Sequence, residues 1–91
     1  MYKKEFEKYI LENSGSVKAI YCRIWSSVDE DKDIYWLDVF IDGAGYTTVY
    51  TSEYSYDLDS VVRIQNRWYA KLVKWLCRFE DVTLVRDRCS V

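Results

Sequence analysis

The chain has 91 residues, enough for one domain, and a chain of this size buries roughly 60–65% of its unfolded surface. Hydrophobic residues make up 49% of it, with four Trp, nine Tyr and three Phe, so some rings are left over from a small core and point to a contact surface. A net charge of −2 and the lack of any histidine argue against whole-molecule attraction to nucleic acid and against histidine-based catalysis. The cysteines Cys22, Cys77 and Cys89 are odd in number and form no CxxC pair, which argues against a disulfide scaffold and a zinc site; they read as reduced thiols of a cytoplasmic protein. The opening MYKKEFEKYI lacks the apolar run of a signal peptide, and no stretch approaches membrane-spanning length.

Tyr2 to Asn13 predicts a short amphipathic helix, with Tyr2, Phe6, Tyr9 and Ile10 on one face. Asn13-Ser14-Gly15-Ser16 is its stop, and Gly15 suits the left-handed position after a helix. Val17 to Val28 alternates as a strand: Ile20, Cys22 and Ile24 on one face, Tyr21, Arg23 and Trp25 on the other. Asp29-Glu30-Asp31-Lys32-Asp33 is an acidic turn, and Ile34 to Asp42 is a second strand. With the turn centred between Glu30 and Asp31, Ile24 meets Leu37, Cys22 meets Val39 and Ile20 meets Ile41. On the other face Trp25 meets Trp36, Tyr21 meets Phe40, and Arg23 meets Asp38 as an expected ion pair.

Gly43-Ala44-Gly45 is the next turn and Tyr46 to Ser52 the third strand. Its facing is open. A two-residue loop puts Tyr46, Thr48 and Tyr50 on the core; a three-residue loop with left-handed Gly45, the favoured reading, buries Val49 and exposes the tyrosines. Ser55 or Asp57 then caps a long helix over Asp57 to Phe79, the keel of the core. Val61, Ile64, Trp68, Leu72, Trp75 and Phe79 lie on its apolar side, and Arg63, Arg67, Lys71, Lys74 and Arg78 on nearly the opposite side. Val82 to Arg86 is a candidate fourth strand before a frayed polar end. The expected fold is α+β, ordered α-β-β-β-α with an optional final β: an antiparallel sheet of three or four strands packed with two helices.

No nucleophile, phosphate-loop, dinucleotide or metal motif is present, so neither cofactor nor enzymatic activity is expected. Three surfaces remain. The basic stripe of the second helix is either a solvated face or a phosphate contact. The acidic residues Asp29, Glu30, Asp31 and Asp33, with Glu53, Tyr54, Tyr56, Asp57 and Asp59, are either polar turns or a surface for a basic groove in a protein partner. The rings Tyr21, Trp25, Trp36 and Phe40 form an exposed patch suited to a homodimer if both helices share the other sheet face, and are covered if one helix lies on each face.

From Glu5 to Phe79 the element order resembles a double-stranded-RNA-binding domain, whose second helix presents lysines to phosphates. In that family the lysines cluster at the start of that helix, and a Gly-Pro-containing loop between the first two strands enters the minor groove. Here both regions are acidic, which disfavours nucleic-acid binding in that mode. In size, acidic turns, abundant tyrosine and element order the chain is similar to small phage-encoded anti-defence proteins, the anti-CRISPR inhibitors among them. Some of these mimic DNA and block the nucleic-acid groove of a CRISPR effector. The resemblance implies a non-enzymatic inhibitor working in the host cytoplasm, and carries over no individual residue.

Overall fold

The computed structural model describes residues 3–13 and 15–91. The expected helical place of Tyr2, and Ser14 of the helix stop, lie outside the described residues. The elements are α1 (Lys3–Glu12), β1 (Ala19–Asp29), β2 (Lys32–Asp42), β3 (Tyr46–Thr51), α2 (Leu58–Leu76) and β4 (Thr83–Ser90). They form an α+β fold with one four-stranded mixed sheet in the order β3-β2-β1-β4. Gly15 takes φ +89° after α1, a value that suits its lack of a Cβ.

The β1–β2 hairpin has the register its alternation predicts, with Ile24 opposite Leu37, Cys22 opposite Val39 and Trp25 opposite Trp36. The turn is tighter than a five-residue acidic loop. Asp29 and Lys32 already pair, leaving only Glu30 and Asp31 at φ 48° and 65°. Two consecutive left-handed residues match the strand twist in a two-residue hairpin turn, a place glycine or asparagine usually fills.

In β3 a bulge settles the facing. Val39 pairs with Tyr50 and Phe40 with Thr48, so Val49 is the extra residue. Tyr46 and Thr48 therefore face outward, while Tyr50 turns inward onto Trp68, ring centroids 5.1 Å apart. Val49 packs on the core as favoured, but Tyr50 does too, and Gly45 is not left-handed.

β4 corrects the sequence reading twice. It runs to Ser90 in place of a frayed end, and it lies parallel to β1. The parallel sense follows from α2. Nineteen residues of helix carry the chain back about 28 Å, so the next strand sets out in the same direction as β3 and β1.

Both helices cover one face of the sheet. Phe6 and Ile10 of α1, with Val61, Leu72 and Leu76 of α2, share one buried cluster with Ile20, Cys22, Ile24, Leu37, Val39 and Ile41. Phe6 meets Trp75 at 5.5 Å and so joins the helices. Asp57 is the N-cap of α2, accepting from the Asp59 amide at 3.2 Å. The helix ends at Leu76, so Phe79 reaches the core from the turn beyond it.

Burial pushes the Cys22 thiol from its ordinary 9.0 up to about 12. An unfolded thiol ionises first, so the contribution is intact below pH 9 and lost as pH rises towards 12. Urea titrations should show stability falling above pH 9 by no more than about 1.4 kcal/mol per pH unit from this group. Cys22→Ala should flatten that limb; an unchanged limb would assign it to other groups.

Candidate interaction surfaces

The two acidic stretches form one end of the molecule. Past β3 the chain continues alongside β2: the amide of Tyr35 donates to the Ser55 carbonyl at 2.8 Å, and the amide of Ser55 to the Tyr35 carbonyl at 2.9 Å. This short ladder brings the lead-in of α2 to the hairpin tip. The Tyr56 hydroxyl donates to Asp29 Oδ2 at 3.1 Å, and Lys32 Nζ lies 5.7 Å from the centre of the Tyr56 ring. Tyr54 tilts against Trp36 with centroids 4.9 Å apart.

These carboxylates do different work. Asp57 accepts from Ser60 Oγ at 2.6 Å and stands 4.0 Å from Arg63. The Ser60 hydroxyl, the Asp59 amide and Arg63 together hold the Asp57 carboxyl below its ordinary range. Asp29 is taken by Tyr56, whose hydroxyl is in turn raised by that hydrogen bond and by the carboxylate charge. Glu30, Asp31, Asp33, Glu53 and Asp59 are exposed, and their carboxylates have no partner among the described residues. Rings at the edge and open carboxylates at the tip therefore sit on one hydrogen-bonded frame.

The basic stripe is less open. Arg63 meets Asp57, Lys71 Nζ lies 5.2 Å from the Trp68 ring, and Arg78 donates to Glu7 at 3.1 Å. Arg67 and Lys74 extend freely from the exposed side of α2.

The outer sheet face carries the third set. Tyr21 and Phe40 stack at 4.9 Å with an 8° interplanar angle, and Tyr46 meets Phe40 edge-on at 5.8 Å. The Arg23 guanidinium lies 4.9 Å from the Tyr21 ring and 5.0 Å from the Trp25 ring. Its ion-pair partner is Asp87 rather than Asp38. Nε and Nη2 donate to the two Asp87 oxygens at 3.0 and 2.9 Å, because parallel β4 sets Asp87 beside Arg23. That fork raises the Arg23 pKa further. Asp38 lies opposite Arg23 in register but accepts from Thr51 Oγ1 at 2.7 Å. A depression of about 420 Å³ opens here, between Trp25, Asp38, Tyr46 and Thr48.

Comparison with protein-family models, curated proteins and solved structures gives no match to the chain. Among the described residues, no group of three or more His, Cys, Asp or Glu is placed to hold a metal ion, and no helix is long and apolar enough to cross a membrane.

Proposed function

We propose that this is a small non-enzymatic binding protein that inhibits a nucleic-acid-handling enzyme by filling its basic groove with the acidic, tyrosine-flanked end. An effector of the CRISPR nuclease type is the target class, in keeping with the resemblance in size, composition and element order to anti-defence inhibitors. One observation carries the reading. Two acidic stretches separate in sequence, Asp29 to Asp33 and Glu53 to Asp59, are fastened together by the Tyr35–Ser55 ladder and the Tyr56–Asp29 hydrogen bond. Carboxylates held on a rigid frame can take positions that phosphates would take, and rigid tyrosines add contact area at small entropy cost.

The test is a DNA-cleavage assay across a panel of RNA-guided nucleases titrated with the purified protein. At least one should be inhibited, with potency falling as salt rises. Reversing Glu30, Asp31, Asp33 and Glu53 to lysine should weaken inhibition on the order of 100-fold or more, since each like-charge contact carries a large penalty. These side chains have no partner to lose, so the fold should survive. Inhibition unaltered by the four reversals, or a panel with no inhibited nuclease, overturns the proposal.

A further inference from the structure

We propose that the outer face of the sheet is the interface of a homodimer, with its two-fold axis parallel to the strands and passing between β1 and β2. This goes beyond the acidic end and stands without it. With both helices on the inner side, no helix or strand of the described residues lies over Tyr21, Trp25, Trp36 and Phe40, which are half-buried, Trp36 against Tyr54 and Phe40 against Tyr46.

The occupant is argued from the polar row that crosses the middle of this face. From β3 to β4 it reads Thr51, Asp38, Arg23, Asp87. Two of its groups are half used. Asp87 engages Nε and Nη2 of Arg23, leaving Nη1 to donate; Thr51 engages Oδ1 of Asp38, leaving Oδ2 to accept. These two remainders sit on neighbouring strands at one level of the register.

A second copy turned about the proposed axis exchanges β1 with β2 and keeps every level. Arg23 then faces Asp38 of the second copy, and Asp38 faces its Arg23. The same rotation sets Trp25 against Trp36 and Tyr21 against Phe40. A self-complementary patch of this kind is what a two-fold interface requires, and aligned sheets pack about 10 Å apart, within reach of these long side chains. Four strands at about 4.8 Å and seven residues at about 3.4 Å give a footprint near 19 by 24 Å. With side-chain relief this is on the order of 600–800 Å² per copy, close to the roughly 800 Å² of a standard interface. A nucleic acid fits the face poorly, because Arg23, the cation at its centre, is already forked to one of two aspartates. An axis along the strands also keeps both hairpin tips at the same end of the dimer.

Sedimentation equilibrium in reducing buffer, from micromolar to sub-millimolar protein, tests the proposal. The expected mass is twice the 10.9 kDa chain. Asp38→Lys places like charges across the axis and should weaken the dimer on the order of 100-fold. Asp38→Asn, which keeps the acceptor for Thr51, should weaken it by about tenfold, through two symmetry-related charge interactions each reduced to a neutral hydrogen bond. Far-UV circular dichroism and thermal melts at dilute protein check that each variant is folded, and Trp36→Ser supplies a second disruption on the same face. A monomer at every concentration, or a dimer indifferent to both Asp38→Lys and Trp36→Ser, overturns the proposal.

Discussion

Replacing Phe6 with alanine is expected to destabilise the protein by about 3–4 kcal/mol, the usual cost of truncating a fully buried ring. Phe6 has no exposed surface and packs 5.5 Å from Trp75. It matters beyond its own area because α1 is short. Ten residues do not hold a helix in water, so α1 depends on tertiary contact, and its buried residues are Phe6 and Ile10. A domain of this size has a total stability of about 5–14 kcal/mol, so the loss is a large share of it. Urea unfolding should show a lower midpoint, with a pretransition in helical signal if α1 detaches first. A change below about 1 kcal/mol would mean that α1 is not part of the core. Phe6 and Trp75 lie towards the carboxyl end of α2, and the acidic tip is at its amino end. Variant protein that remains folded should therefore keep the inhibition proposed for the acidic end.

The hairpin was legible because every constraint on it agreed. Alternation, a short polar turn and matched cross-strand pairs allow one register, and a one-residue slip would put Ile20, Cys22 and Ile24 on the wrong face. Strand β4 was legible only from Thr83 to Arg86, the part that the expected Val82 to Arg86 strand covers. Its second half reads as a polar tail because the carboxylate in it is satisfied by a residue distant in sequence: Asp87 meets Arg23, 64 positions away. No local pattern announces such partners. The expected Arg23–Asp38 pair failed for the same reason: the register was right, but a competing carboxylate arrived on the other side of β1.

The composition of the acidic site could be read from the chain, but its unity could not. Asp29 to Asp33 and Glu53 to Asp59 look like a turn and a helix start. What joins them is backbone pairing between Tyr35 and Ser55, which leaves no mark in side-chain chemistry. Asp57 was one of two cap candidates, with Ser55, and it is the Asp57 side chain that accepts from the Asp59 amide. The outer face depended on where the helices go. Only the shared cluster of Phe6, Ile10, Val61 and Leu72 shows both on one side.

Gln65 went unnoticed, and its replacement is the second large effect. It lies on the buried side of α2 at 4% exposure, where the apolar pattern skips from Ile64 to Trp68. Its Nε2 donates to the Cys22 carbonyl at 2.9 Å and to the Asp87 carbonyl at 3.2 Å, so one amide fastens the helix to β1 and β4 together. Gln65→Leu is similar in size and more apolar, and area alone would favour it. It withdraws both donors and leaves two carbonyls without them, which should cost about 2–3 kcal/mol. Gln65→Glu separates hydrogen bonding from shape. A carboxylate there has no proton to give and faces two carbonyl oxygens, so the folded state favours its protonated form. That variant should be nearest to wild type below the ordinary glutamate range and lose stability as pH rises through and above it. Gln65→Leu should lack this pH dependence. Hydrogen exchange should show the β4 amides losing protection before those of β2, because β4 has β1 as its single strand neighbour. A Gln65→Leu protein as stable as wild type would remove the amide from the account and leave the Arg23–Asp87 fork as the main polar tie on β4. If the amide is the clamp, the same substitution loosens Asp87, and with it the guanidinium at the centre of the outer face.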